Sequence, residues 1–205
     1  MESQMAKQEE RRAATRAAVI AAAVNLFGAV GFDQTTIDDI AAEAGVAKGA
    51  VYHHFKSKRD VFEAAFESVS ASLASAILTE TRPDSDMIEM LMAATKAFFR
   101  LCADPATMRI LLRDGPSVLG SEDWRRLDAR HFGGLVTSAL GMAMDAGAIK
   151  RQPLEPLSLV MLAAIQAAAV DCAAQTDFEA SATLYLVTFE NILAGLSAPR
   201  ARADL

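Results

Sequence analysis

The sequence predicts an all-α chain of about nine helices. Three observations carry this. Apolar residues recur at three- and four-residue spacing along most of the chain. Alanine and methionine are abundant, while aromatics make up 6% of residues. No segment sustains two-residue alternation with Val, Ile and Thr enrichment, the pattern of a half-buried strand.

In chain order, Val19, Ile20, Ala23, Val24, Leu26 and Phe27 mark the apolar stripe of a first helix over 13–29. Gly28 and Gly31 loosen its end. Thr35 or Thr36 is placed to cap a second, short helix reaching Ala44, with Asp38 and Asp39 in its first turn, where carboxylates suit the positive helix end. Gly45 stops it in a left-handed conformation. A third short helix covers Ala47–His54. Ser57 can cap a long fourth helix over 58–79. Pro83-Asp84 opens a fifth, reaching Ala103. Asp104-Pro105 opens a sixth, reaching Arg113, and a glycine-punctuated loop over 115–121 follows. A seventh covers 122–146, bent or split near Gly133-Gly134. Pro153 and Pro156 precede an eighth reaching Gln175, and Asp177 caps the last, which ends near Leu196.

Composition narrows the function. The chain has 205 residues, 52% hydrophobic and 22% charged, an ordinary mix for a folded chain and unlike a disordered one. Its net charge of −6 argues against a general polyanion binder. The deficit is local, however. Residues 1–60 hold eight basic and eight acidic residues, and 61–205 hold twelve and eighteen. Two cysteines, Cys102 and Cys172, cannot build a disulfide scaffold. No zinc spacing accompanies them, so a reducing, cytoplasmic compartment is expected. Ala17–Val30 after Arg11, Arg12 and Arg16 imitates a secretory signal, but Asn25 and the preceding glutamates speak against it. Leu157–Val170 is apolar but short of the roughly 20 residues of a membrane span, so no membrane partner is expected.

The informative segment is Thr35–Arg59. Ile37, Ile40 and Ala41 form the inner face of one short helix. Val46, Val51 and Phe55 form that of the next. A three-residue turn around Gly45 joins them, and Ala41 and Ala44 permit close approach. This is a helix-turn-helix over about 35–54, whose second helix can enter a DNA major groove. Lys48, Gly49, Tyr52 and His53 share its outward side. Lys48 offers a cation to a phosphate or a donor to a guanine edge. Gly49 removes a side chain so backbone can approach the duplex, and Tyr52 and His53 offer hydrogen-bonding tips. Thr36 and Lys58 sit at helix starts, where N–H groups attract anions. Lys48, Lys56, Lys58 and Arg59 put four cations into twelve residues, a local positive patch.

At these residues the chain resembles the tetracycline-repressor family of transcriptional regulators. The ordered elements are Ala23…Phe27, Gly31…Thr36, Ile40…Val46, Lys48…Phe55 and Lys58…Val61. The resemblance covers about 12–72 and implies a three-helix DNA-binding domain there. It further implies a ligand-binding and dimerisation domain over 73–198, with 1–11 and 199–205 as flexible tails. Ala47 departs from the Ser or Thr that often caps the recognition helix, so no DNA contact is assigned to it. His53 stands where the family is often aromatic. Over 104–120 the chain resembles a recurrent subset of the family's C-terminal half.

In the C-terminal half Phe98, Cys102, Met108, Leu112, Trp124, Phe132, Met161 and Ile165 are candidates to line an effector cavity, with Phe99 and Leu135 beside them; each also suits plain core. Arg109, Arg113, His131 and Gln166 are candidate polar anchors. The C-terminal half is rich in Met, Phe, Leu and Ala and poor in candidates for buried charge, which predicts a small, mostly apolar effector. No catalytic or metal motif appears, so the chain is read as a non-enzyme without cofactor or metal. The apolar character of Leu157–Ala174 nearly all round, with two stripes on the last helix, predicts a homodimer through the last two helices. One stripe of the last helix runs through Phe178, Ala182, Tyr185, Phe189 and Leu196, the other through Leu184, Val187 and Ala194, and the sequence leaves open which faces a partner. The expected activity is that of a ligand-responsive repressor on a palindromic operator. The alternative is a helical small-molecule-binding protein without active DNA recognition.

Overall fold

Nine helices and no strand make up the described residues, 2–81 and 86–197, of a computed structural model. They are α1 (Glu2–Val30), α2 (Ile37–Glu43), α3 (Lys48–His54), α4 (Lys58–Glu80), α5 (Met87–Cys102), α6 (105–119), α7 (121–145), α8 (Leu154–Ala174) and α9 (Phe178–Leu196). Single π-helical turns, Arg109–Asp114 and Ala129–Gly133, interrupt α6 and α7.

Several boundaries differ from the sequence expectation, each for a local reason. The expected tail 1–11 is helical from Glu2, because this stretch contains no helix breaker. The residues from 4 to 14 are exposed along it. The loop expected over 115–121 is largely the last turn of α6, Gly115–Leu119, in which Pro116 directly follows the π turn Arg109–Asp114 that breaks the regular helical ladder. Pro83-Asp84, the expected start of α5, and the C-terminal tail 199–205 lie outside the described residues. Within them α5 begins after Asp86, whose carboxylate accepts from Ile88 N at 2.8 Å. The bend expected near Gly133-Gly134 is the second π turn.

The chain divides into two compact units, Met1–Ala71 with Asp104–Arg125, and Ser72–Ala103 with Arg126–Leu205. The sequence expectation has a single cut near residue 72, with everything beyond in one domain. The structure instead returns Asp104–Arg125 to the first unit. Its packing there is close. A Cβ on Gly28 of α1 would stand 2.6 Å from the Ala106 Cβ of α6, so a glycine is needed for the two helices to touch. The Asp114 carboxylate accepts from Phe32 N at 2.8 Å. The Arg59 guanidinium donates to Leu119 O at 2.9 Å and to Asp123 at 2.7 Å. Arg109 donates to Ala29 O at the end of α1.

The core of the first unit is built on Phe27, Phe62 and Phe66, all fully buried, with Val19, Ile40, Val51 and Val61. Phe27, Phe32 and Phe62 meet at centroid distances of 5.2–5.8 Å, in tilted and edge-on geometries. In the second unit α8 packs against α5, α7 and α9. Phe99 meets Phe178 and Phe189 there at 6.5 and 6.3 Å. Of the first expected α9 stripe, Phe178, Ala182 and Phe189 are buried and Tyr185 and Leu196 half-buried, with Leu193 buried beside them, while Leu184, Val187 and Ala194 of the second are exposed. The first stripe therefore belongs to the subunit's own core.

α8 is longer than the apolar run that the sequence suggests. At 21 residues it is long and apolar enough to cross a membrane, as are α1 and α4, so length does not exclude a span. Its buried face nevertheless carries Ser158 and Gln166, each held by a hydrogen bond inside the second unit.

Candidate nucleic-acid interface and apolar cavity

The turn between α2 and α3 is fixed by a few groups. Thr36 caps α2: its Oγ1 accepts from Asp39 N at 3.1 Å, while the Asp39 carboxylate accepts from Thr36 N at 2.9 Å. This reciprocal box satisfies two helix-end donors. The Thr36 hydroxyl also donates to Asp39 at 2.6 Å, and these bonds hold the Asp39 pKa below the usual carboxylate range. Of the two candidate caps it is therefore Thr36. Thr35 is buried and donates to Gly31 O at 2.8 Å. Gly45 follows α2 with φ +67°, the left-handed stop that its glycine allows. Ala47 precedes α3 without any side-chain cap, as expected from its lack of a hydroxyl.

α3 rests on the core through Val51, which is fully buried. Its other side is open. Lys48, Gly49, Tyr52 and His53 are all exposed, so the four residues grouped by spacing do share a solvent-facing surface. A Cβ added at Gly49 would meet nothing within 4 Å. Within this chain, then, nothing sterically requires glycine there. Lys48 is not idle. Its ammonium sits 2.9 Å from Asp38 on α2, and that carboxylate raises its pKa.

The expected four-cation patch is smaller than its sequence suggests. Lys58, expected at a phosphate, points inward. Its Nζ donates to Phe32 O at 2.8 Å and Thr35 O at 2.9 Å, and lies 4.1 Å from the Phe32 ring centroid. The physical reason is that the connector after α1 leaves carbonyls without helical partners, and Lys58 begins the helix packed beside them. Arg59 is likewise committed to Val118 O, Leu119 O and Asp123. Lys56 and Lys48 stay at the surface.

α1 supplies cations that the sequence alone does not place here. The Arg16 guanidinium lies 5.3 Å over the Phe55 ring at the end of α3. Partial burial, then His53, Arg12 and Arg16, hold the His54 pKa below the ordinary imidazole value. A signal is present in the sequence, since Arg12 and Arg16 are one helical turn apart, but only the packing of α1 against α3 brings them to the end of α3. His53 and His54 face each other edge-on at 5.4 Å. No group of metal-ligating residues forms among the described residues.

The second unit contains a cavity of about 100 Å³. Phe98, Phe132, Met161 and Ile165 line it, as expected, with Leu135. The other four candidates do not. Cys102 is fully buried in α5 and is not part of the wall. Met108, Leu112 and Trp124 belong to the first unit, where the Trp124 indole donates to Leu111 O at 2.9 Å. Apolar periodicity cannot separate wall from core, because both use the same residue types. Among the candidate anchors Gln166 lines the cavity, and Arg109 and Arg113 lie in the first unit. His131 is not in the wall, and its Nε2 is buried without a hydrogen-bond partner among the described residues. The polar residue that sequence reasoning misses is Asp128, which lines the cavity and is bonded to Gln166.

Comparison with known proteins gives two family matches. Residues 19–65 match the bacterial regulatory proteins of the tetR family, and residues 88–196 match the tetracyclin repressor-like C-terminal domain. The HTH-type transcriptional repressor BepR of Brucella suis biovar 1 (strain 1330) is 32% identical over 99 residues, 46% of this chain and 47% of that protein. The HTH-type transcriptional regulator TtgR of Pseudomonas putida is 34% identical over 109 residues, 51% of this chain and 50% of that protein. The match thus spans about half the length of these curated relatives. A crystal structure described as a TetR-family transcriptional regulator, from Pectobacterium atrosepticum, superimposes with a TM-score of 0.83 at 26% identity, covering 93% of this chain and 97% of that one.

Proposed function

The chain belongs to the tetracycline-repressor family of bacterial regulatory proteins, and from that premise we propose that it is a ligand-responsive, homodimeric transcriptional repressor acting in the cytoplasm. The observation that carries this reading is the outward face of α3. Lys48, Gly49, Tyr52 and His53 are exposed together on a short helix whose inner residue, Val51, is locked in the core. Such a face can enter a major groove with its side chains at base edges. Arg12 and Arg16 flank it with positive charge for phosphates.

A second copy of the chain is the proposed partner. Leu159 and Val160 on α8 and Leu184 and Val187 on α9 are 53–72% exposed, an apolar surface that water covers poorly. Joined across a two-fold axis, these helices form a four-helix bundle. Two-fold symmetry then requires a palindromic operator with half-sites about 34–36 Å apart or a multiple of it. The effector enters the cavity of the second unit. α4 has residues in both units, and we assign it the role of a lever that changes the spacing of the two reading helices. The effector acts only as far as it favours one spacing over the other.

The test is selection of an operator from random duplex DNA by the full-length protein, followed by a screen for compounds that release it. A palindromic consensus and at least one small, mostly apolar releasing compound are expected. Failure to enrich any sequence would instead favour a small-molecule-binding protein without active DNA recognition.

A further inference from the structure

Asp128 is an expensive residue to place where it stands. It is 7% exposed, and it lines a cavity whose other walls are largely hydrocarbon, among them Phe98, Phe132 and Met161. Its partner is neutral: the Gln166 amide, itself 7% exposed, donates to Oδ2. Among the described residues no cation pairs with it. Neither Oδ1 nor the Gln166 Oε1 accepts a further hydrogen bond among the described residues. A buried carboxylate without a counter-charge opposes folding unless something compensates it. Burial pushes its pKa up to about 6, so the anion still predominates at neutral pH. The backbone here is also irregular. Asp128 is the last residue before the π turn Ala129–Gly133, and that turn delivers Phe132 to the wall. Such turns are frequent at functional sites.

We propose that the effector is a compact organic amine, bound as a cation, with its ammonium on Asp128 and Gln166 and its hydrocarbon body against Phe98 and Phe132. This rests on the reading of the cavity as the effector site. The ammonium supplies the missing charge to Oδ1 and an N–H donor to the Gln166 Oε1. Thr95, also in the wall, donates its hydroxyl to Leu91 O at 2.9 Å and keeps a lone pair free for a further N–H. The cavity, about 100 Å³, is smaller than the apolar cavity of about 150 Å³ that holds benzene, so it limits the guest to a short chain, or to a single ring admitted by movement of the wall. Carboxylate-bearing molecules are excluded by the like charge of Asp128.

The test compares benzylamine, benzyl alcohol, toluene and benzoate, four probes with nearly the same body. Each is titrated calorimetrically into the full-length protein at pH 7.5, and separately into its complex with a selected operator. Benzylamine is expected to bind about tenfold or more tighter than benzyl alcohol or toluene, and benzoate not at all. Asp128→Asn, which keeps the shape and the Gln166 contact, is expected to abolish that preference. Asp128→Leu serves the same purpose should the asparagine variant fold poorly. Equal affinity for benzylamine and toluene overturns the proposal, and so does a preference that survives in both variants. If toluene and benzylamine bind alike and both release the operator, the effector cavity stands and the amine assignment fails. If benzylamine binds selectively and the operator stays bound, the amine site stands and its regulatory role fails. Absence of binding by all four overturns both, whatever the protein does with DNA.

Discussion

The two units use polar side chains in opposite ways. In the first, the half-buried charged groups are tied to its own backbone, although the buried Ser70 hydroxyl has no partner among the described residues. Lys58 holds the carbonyls of Phe32 and Thr35, Asp114 holds Phe32 N, and Arg59 holds the end of α6. On the outside, along α3, Lys48 reaches only the exposed Asp38, and Tyr52 and His53 face solvent. In the second unit α8 and α9 expose Leu159, Val160, Leu184 and Val187, and the polar pair Asp128–Gln166 is inside, beside a cavity. On the proposed reading, one unit presents a surface and the other receives a guest. Substitutions in the two should therefore separate affinity for DNA from stability and ligand response.

The largest effect is expected at the proposed dimer face. Leu184→Glu with Val187→Glu places charges on exposed positions of α9, so each subunit's own core is untouched. Light scattering should report a monomer with an unchanged circular dichroism spectrum. Operator affinity should fall by about a hundredfold or more, because the second head then binds without the first to tether it. A dimer of wild-type affinity would remove this surface from the account.

Next is the pH response of the second unit. Asp128 has its folded pKa raised from 3.8 to about 6, chiefly by burial. Between these values the unfolded chain loses its proton first, so ionisation favours unfolding. The cost is absent below about pH 4, grows as pH rises, and is complete above about pH 6. Asp128→Asn removes it. Urea unfolding should show the variant gaining on wild type as pH rises from 4 to 7, by on the order of 3 kcal/mol. A gap between the two proteins that does not change with pH would contradict the buried, unpaired carboxylate.

A smaller pair of effects sharpens the division inside the first unit. Lys58→Met should lower stability by roughly 2 kcal/mol, through two charge-assisted bonds to carbonyls. It should leave the salt dependence of DNA binding near wild type. Lys48→Ala should do the reverse. Its pair with Asp38 is exposed and contributes little to folding, but the slope of log affinity against log salt should flatten by roughly one unit per subunit. Opposite outcomes would mean that the inward position of Lys58 is exchanged for phosphate on DNA.

How much can be read from sequence follows the same division. Gly45, Thr36, Val51 and the exposed quartet of α3 are legible because a helix-turn-helix fixes its residues through local rules, namely a cap, a left-handed stop and a 3.6-residue period. The all-α architecture is legible for the same reason. Lys58 is misread because its fate depends on where the carbonyls of Phe32 and Thr35 lie, more than twenty residues earlier. Trp124 and Met108 look like cavity wall because hydrophobicity does not say which unit a segment joins. Asp128 escapes notice because a lone acid on a helix with charged neighbours reads as surface, and only the packing of α7 against α8 makes it interior.

Recognition of DNA by the outer face of α3 is tested by Gly49→Ala and by Tyr52→Ala. Both positions are exposed, and Gly49 has open space for a methyl group. Thermal unfolding of the free variants should stay close to wild type, with Gly49→Ala equal or slightly more stable. Fluorescence anisotropy on the selected operator should show a loss of about 1–3 kcal/mol for each, with a much smaller change on random DNA. Wild-type affinity and sequence preference in both variants would contradict the claim that this face reads DNA.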